Sequence, residues 1–255
     1  MNNPFDLTGK TILVTGASGG LGSQAAISIA RMGGRVLLVG RNQEKLQGVR
    51  DQMVDVVDVV DVAGEGHQIH AVDLADSAAR SALAEILPTL NGIAHCAGMT
   101  LLQPFKFVTE SQYADVYRIN VEAPLFLTQR LLKNKRILPG ASLVFISSIS
   151  PLAGFKGHSV YAGSKAAISA LSRVLAHELA PSRIRANTIS PGMVKTQVMD
   201  EYQRQMSAEF VAADDARYPL GYGDPEDVAN AIIFFLSEAS KWITGSNLVM
   251  DGGLT

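Results

Sequence analysis

Thr11-Ile12-Leu13-Val14-Thr15-Gly16-Ala17-Ser18-Gly19-Gly20-Leu21-Gly22 governs the reading of everything that follows it. Thr11 to Val14 is a β-branched, apolar run of the kind that forms a strand buried on both faces. Glycines break the run, and Ser23 to Met32 then reads as a helix with small residues on the side that would meet a sheet. Strand, glycine-rich turn and helix together let a pyrophosphate approach the backbone closely and aim unpaired helix N-terminal N–H groups at it. The spacing is Gly-x-x-x-Gly-x-Gly rather than the more familiar Gly-x-Gly-x-x-Gly, and the plainer alternative is a tight turn needing glycine for its dihedrals.

Outward from that turn the same alternation recurs. Arg35 to Val39 predicts a second strand ending at Gly40-Arg41-Asn42, the distance at which dinucleotide folds contact the adenosine ribose. An acidic residue there would accept from a free 2'-hydroxyl, whereas the Arg41 guanidinium can pair with a 2'-phosphate, so NADP is favoured over NAD. Gln43 to Val62 holds Asp55, Asp58 and Asp61 among valines; a solvated helix face is the reading, with a strand as the alternative. Gln68 to Val72, Asn91 to His95, Ala141 to Ile146, Arg185 to Ile189 and Asn247 to Met250 predict the remaining strands, and Ser77 to Leu87 and Thr109 to Lys133 predict helices between them. His67 and His70 fall on opposite faces of their strand, which argues against a metal. Pro225 opens a helix through Leu236 with Asp224 as its cap. The expectation is an α/β fold: a three-layer, doubly wound parallel sheet of about seven strands with helices on both faces, whose ligand binds at the carboxyl ends of the strands.

The 255 residues suit one α/β domain, 1–255, and the irregular, bulky stretch 193–222, with Tyr202, Met206, Phe210 and Tyr218, has the composition of a substrate lid. Apolar residues make up 47% of the chain and the net charge is -2, which argues against a disordered, nucleic-acid-binding or membrane-surface protein. Cys96 is the single cysteine and suits a reducing compartment. Met1 to Lys10 lacks the apolar core of a signal peptide, and no run is long enough to span a bilayer. A cytoplasmic protein working on small molecules is expected.

The chemistry points to Ser159-Val160-Tyr161-Ala162-Gly163-Ser164-Lys165. In a helix Tyr161 and Lys165 share a face, and a fixed ammonium beside a phenol favours the phenolate. Bringing a tyrosine from about 10 to about 7 takes roughly 4 kcal/mol, more than one solvated charge gives, so further partners are needed. Asn120, among the apolar Val116, Ile119 and Leu125, needs either a structural partner or a task.

In order and spacing these residues closely resemble the short-chain dehydrogenase/reductase family over essentially the whole chain. The matches are Thr15-Gly16-x-x-x-Gly20-x-Gly22, Asp73, Ala97-Gly98, Asn120, Ser148, Tyr161-x-x-x-Lys165 and Pro191-Gly192, with Ser148 thirteen residues before Tyr161, which favours it over Ser147. The resemblance implies an NADP-dependent Rossmann-fold oxidoreductase moving a hydride between nicotinamide and a carbonyl or secondary alcohol. It implies Tyr161 as acid or base, Lys165 lowering its pKa and holding the nicotinamide ribose, Ser148 orienting the substrate oxygen, and Asn120 interrupting its helix to hold a relay water. Cofactor contacts are implied at Gly16, Ser18, Gly20 and Leu21 on the phosphates and at Arg41 on the 2'-phosphate. Asp73 and Leu74 would flank adenine, Ala97 and Gly98 would pass beneath the ribose, and Pro191, Gly192, Val194 and Thr196 would hold the nicotinamide end. Asn120, Tyr161 and Lys165 serve both sets.

The pattern is nearest to 3-oxoacyl-(acyl-carrier-protein) reductases, with reductases of sugars, steroids or small ketones as alternatives and a non-catalytic dinucleotide-sensing or scaffold module as the reading from another class. A homo-oligomer, tetramer or dimer, is implied through the helices bearing Asn120 and Tyr161 and the C-terminal segment. Lys133, Lys135 and Arg136 form a basic cluster that an acyl carrier protein could meet, or a solvated helix end. Two departures stand out. His95-Cys96 replaces the family's usual Asn-Asn, an exchange expected to loosen local packing, and Tyr222 stands where many relatives carry arginine.

Overall fold

Alternation along the first strand already divides the interior in two. In β1 (Thr11–Thr15) Ile12 and Val14 point into one apolar cluster and Leu13 into another, and β2 (Arg35–Gly40) repeats this with Val36 and Leu38 against Leu37 and Val39. A strand whose successive side chains are all buried must lie between two layers. The structure, a computed structural model, describes residues 3–54, 66–196, 199 and 208–255. Asp55, Asp58 and Asp61 therefore lie outside the described residues, as do Tyr202, Met206 and the side chain of Phe210 in the stretch expected to form a lid.

The other elements are α1 (Gly20–Arg31), α2 (Gln43–Val54), β3 (Gln68–Ala71), α3 (Ser77–Ile86), β4 (Leu90–His95), α4 (Glu110–Tyr117), α5 (Ala123–Lys133), β5 (Ile137–Ile146), α6 (Ser150–Ala153), α7 (Ser159–Glu178), β6 (Arg185–Pro191), α8 (Ala208–Asp215), α9 (Pro225–Leu236) and β7 (Asn247–Met250). The sheet has seven strands, all pairs parallel, in the order β3-β2-β1-β4-β5-β6-β7. Helices α1, α2 and α9 fill one face with Ala26, Ile29, Met53, Ile232 and Phe235. Helices α3, α5 and α7 fill the other with Leu83, Leu127, Leu131 and Ile168. The chain winds outward from β1 to β3 and returns to place β4 on the other side of β1, so a crevice opens between the carboxyl ends of β1 and β4. No helix among the described residues is long and apolar enough to cross a membrane.

Two differences from the expected bounds bear on the site, while elsewhere β5 starts at Ile137 rather than Ala141. Helix α1 starts at Gly20 rather than Ser23, because Gly22 packs on the turn: a Cβ there would strike the Gly16 carbonyl. The helix expected over Thr109 to Lys133 is broken by a π-helical turn, Arg118–Glu122, around the Asn120 at which the resemblance implied an interruption. Pro124 has no N–H to offer the Asn120 carbonyl four residues back, and Ala123 N bonds to Arg118 O across the wider turn.

Candidate active site

The glycine turn and the end of β4 are built against each other. Gly16 sits at φ 67°, and a Cβ on it would lie 2.8 Å from Ala97 Cα and N. Only glycine fits both the dihedral and the gap. Ala97 N bonds Thr15 Oγ1 at 3.2 Å, which ties the two strand ends together. Gly20 lies near Thr196, whose Cγ2 would be 3.8 Å from a Cβ there, so residues 16, 20, 97 and 196 converge on one crevice. At the end of β2 a Cβ on Gly40 would meet Ser18 Oγ at 2.9 Å, leaving Arg41 exposed beside Ser18. This backbone-lined cradle could hold a dinucleotide, and the resemblance would put Gly16, Ser18, Gly20 and Leu21 on its phosphates. Asp73 Oδ1 accepts from Ala75 N at 2.9 Å, and Leu74 is only 4% exposed, its side chain spent in the core, so its backbone alone is left to flank a base. Gly192 N bonds Met250 O at 2.9 Å, and Val194 bridges Gly223, fixing the loop after β6 on the far side of the crevice.

The end of β4 also meets the polar centre. A Cβ on Gly98 would stand 3.2 Å from Asn120 Oδ1 and 3.3 Å from Lys165 Nζ. Asn120 is 2% exposed and satisfies its amide in full: Oδ1 accepts from Met99 N at 2.8 Å, and Nδ2 donates to Met99 O at 2.9 Å and Ser164 Oγ at 3.0 Å. The side chain therefore clamps the loop after β4, and the carbonyl freed by Pro124 is the group left for a water. Lys165 Nζ donates to Ile146 O at 2.8 Å and lies 5.7 Å from the centre of the Tyr161 ring.

Burial decides the protonation of this centre. It pushes Lys165 down to about 8, against a small upward pull from Cys96. It pushes Tyr161 up, and the group opposing it is the Ser148 hydroxyl rather than Lys165. With burial raising Tyr161 in this pair, the depression needs a further partner beside Lys165, as the sequence reading required.

Of the two serines ending β5, Ser147 turns inward, donating to Lys165 O at 3.0 Å with Ser169 Oγ at 2.9 Å, and Ser148 faces Tyr161. Three polar neighbours passed unremarked in the sequence: Ser164, Ser150 and His158. Ser164 and His158 each stand three residues from Tyr161, a spacing that puts them on its side of a helix, and that was the available signal.

The His95-Cys96 exchange does not loosen the strand end. His95 is 4% exposed, bonds Thr128 Oγ1 through Nε2 at 2.9 Å and stacks on Phe145 with ring centres 4.8 Å apart. Its ring replaces an amide with both a hydrogen bond and packing. Burial pushes the Cys96 thiol up to about 12, which leaves it unreactive. Tyr222 donates to Asp214 Oδ2 at 2.9 Å. The basic cluster sits at the helix end: Lys133 closes α5, and Lys135 and Arg136 lead into the amino end of β5, at the other end of the strand from Ser148. Arg136 Nη2 is taken by Glu85 O at 2.9 Å.

Residues 16–255 match the family model described as Enoyl-(Acyl carrier protein) reductase. The chain is 31% identical to a 3-oxoacyl-(acyl-carrier-protein) reductase of Rickettsia felis, with 98% of each chain covered. It is also 31% identical to the D-erythrulose reductase of Gallus gallus, with 99% of this chain and 98% of that one covered. Among solved structures, a proposed NAD(P)-dependent gluconate 5-dehydrogenase from Beutenbergia cavernae with bound NADP is 29% identical and superposes with a TM-score of 0.88, covering 99% of both chains.

Proposed function

The chain belongs to the short-chain dehydrogenase/reductase family, and from that premise we propose that it reduces the keto group of a 3-oxoacyl thioester with NADPH. The observation that carries the reading is the convergence of Ser148, Tyr161, Lys165 and Asn120 at the mouth of the Gly16–Ala97 crevice. Bound there, the nicotinamide supplies the hydride. Tyr161 gives the carbonyl oxygen its proton, Ser148 orients that oxygen, and Lys165 with the Asn120 carbonyl carries the replacement proton in. Lys165, held near 8, is well suited to pass a proton at neutral pH.

Arg41, exposed beside Ser18 with no acidic residue at Gly40, supports NADP over NAD. Met99 and Leu102 on the loop leaving β4 and Leu152 on α6, all exposed, support an apolar acyl substrate over a polyol. The stretch 193–222 is the lid in this reading. Exposed Tyr113, Phe126 and Val174 on α4, α5 and α7, with Trp242 near the C-terminus, support a homo-oligomer; a monomer at micromolar concentration would remove that part of the proposal. A reducing, cytoplasmic setting suits the single thiol.

The test is NADPH consumption across 3-oxoacyl thioesters on coenzyme A and on acyl carrier protein, keto sugars, steroids and small ketones. Tyr161→Phe should bind NADPH normally and lose about a thousandfold or more in kcat on the best substrate. An active Tyr161→Phe enzyme sinks the assignment. Turnover confined to keto sugars would move the substrate to the class of the erythrulose relative, and a preference for NADH would remove the role given to Arg41.

A further inference from the structure

The Ser148 hydroxyl does not stand alone on its loop. It donates to Ser150 Oγ at 3.1 Å, accepts from Ser150 N at 3.1 Å, and hydrogen-bonds the Tyr161 phenol. Ser150 Oγ in turn lies 3.1 Å from His158 Nδ1. His158 is half-buried and stands edge-on to two rings, Tyr161 at 5.7 Å and 87° and Phe155 at 5.7 Å and 68°. One continuous run of polar groups therefore leads from the phenol, through two serines, to an imidazole.

Each hydroxyl in such a run has one proton, so the direction chosen at one end sets the direction of the next bond. A protonated imidazole carries a hydrogen on Nδ1 and can only donate. Ser150 then accepts from His158 and turns its own proton to Ser148 Oγ, which leaves the Ser148 proton free for the substrate oxygen. A neutral imidazole can accept at Nδ1; Ser150 then donates outward, and Ser148 spends its proton on Ser150.

Resting on the oxidoreductase reading of Tyr161 and Ser148, we propose that His158 is a positioning residue that acts through Ser150. Its protonation aims the Ser148 hydroxyl at the carbonyl oxygen and favours reduction, and its neutral form turns that hydroxyl away. His158 gives up no proton to the substrate; Tyr161 still supplies that proton. Among the described residues Tyr161 on α7 meets the ring edge-on, and on the other side Phe155 does so beneath Arg217, whose guanidinium lies 5.9 Å over Phe155 and is paired with Asp214 at 2.9 Å. Burial alone accounts for the downward push on His158, which sets its protonation below pH 6.5.

Two measurements on the full chain test this. In the first, the imidazole nitrogens are titrated by NMR. His158 should have its midpoint below 6.5, and Ser150→Ala should lower it by about 0.7, because the imidazolium loses one acceptor. An unmoved midpoint in Ser150→Ala overturns the proposal whether or not the enzyme turns over. In the second, single-turnover NADPH oxidation is followed with acetoacetyl-coenzyme A from pH 5 to 8. The wild-type rate should rise about fivefold, one hydrogen bond's worth, as pH falls through the His158 midpoint. His158→Gln keeps a hydrogen-bonding group that cannot titrate, and it should lose that rise with KM unchanged. A wild-type rise surviving in His158→Gln, or a uniform fall at every pH, overturns the proposal. Continued turnover by Tyr161→Phe would instead overturn the functional reading beneath it.

Discussion

Tyr161 has two flanks, and they are built in opposite ways. The inner flank, Lys165, Asn120, Gly98 and the end of β4, is assembled from residues far apart in the chain. Asn120 reaches across 21 residues to Met99 and 44 to Ser164, and Lys165 across 19 to Ile146. The outer flank, Ser148, Ser150 and His158, is one local loop whose bonds span two and eight residues. The inner side chains are buried and Asn120 is bonded in full. The outer run ends on a half-buried ring packed against Phe155, which itself lies under Arg217. Long-range pairing fixes an arrangement through the fold as a whole, whereas a local run can be retuned by single substitutions without disturbing the core. The inner flank should therefore carry the rate and the stability, and the outer flank should carry the response to pH.

The sharpest way to break that contrast is Lys165→Met, which keeps the length of the side chain and removes the ammonium. It leaves Ile146 O without a donor and the phenol without a nearby cation, and kcat should fall by about a hundredfold to ten-thousandfold. Steady-state kinetics beside NADPH titration would check it. A loss under tenfold would mean that the inner flank carries no more of the rate than Ser150 does. Asn120→Ala comes next. It strips the partners of Met99 N, Met99 O and Ser164 Oγ at once. Unsatisfied buried groups of this kind cost about 1–3 kcal/mol, so denaturant unfolding should show a loss of about that size. A loss under about 0.5 kcal/mol, the level of an ordinary surface change, would show that the clamp on the β4 loop is slack.

The same contrast explains what the sequence could say. The strands were legible because every residue of β2 is buried and its run Val36 to Val39 is apolar, and the start of α9 was legible because Pro225 announces it. The glycine turn could be read for its function but not for the start of α1, since the Gly22 contact with Gly16 is a packing fact that no local pattern carries. The side chain of Asn120 could be flagged as needing a partner, but its partners are set by how β4 and α7 meet. The break in its helix follows from Pro124, a signal present in the sequence and passed over. The outer run hid for the opposite reason: Ser150 opens the single-turn helix α6 and His158 caps α7, and only that turn brings them into line.

The mildest test compares two histidines, one on each flank, and reads acid stability rather than rate. His95, at the strand end that carries Gly98, is held down to about 3 by burial, against an ordinary value near 6.5 in the unfolded chain. The unfolded chain therefore binds the extra proton between those two values. Stability from this group is complete above pH 6.5 and is lost as pH falls toward 3, at about 1.4 kcal/mol per pH. His95→Asn restores an uncharged partner for Thr128, so the difference in unfolding free energy between wild type and variant should shrink or reverse across pH 6 to 4. At pH 8 the variant should be the weaker protein, having lost the stacking on Phe145. His158 has the same sign, but it is half-buried and is pushed down less, so His158→Gln should shift the acid curve less than His95→Asn does. Equal shifts from the two variants would erase the distinction between a sealed flank and an open one. A flat difference for His95→Asn would mean that the strand end opens to water before the rest of the sheet, and that the inner flank is held less tightly than its bonds imply.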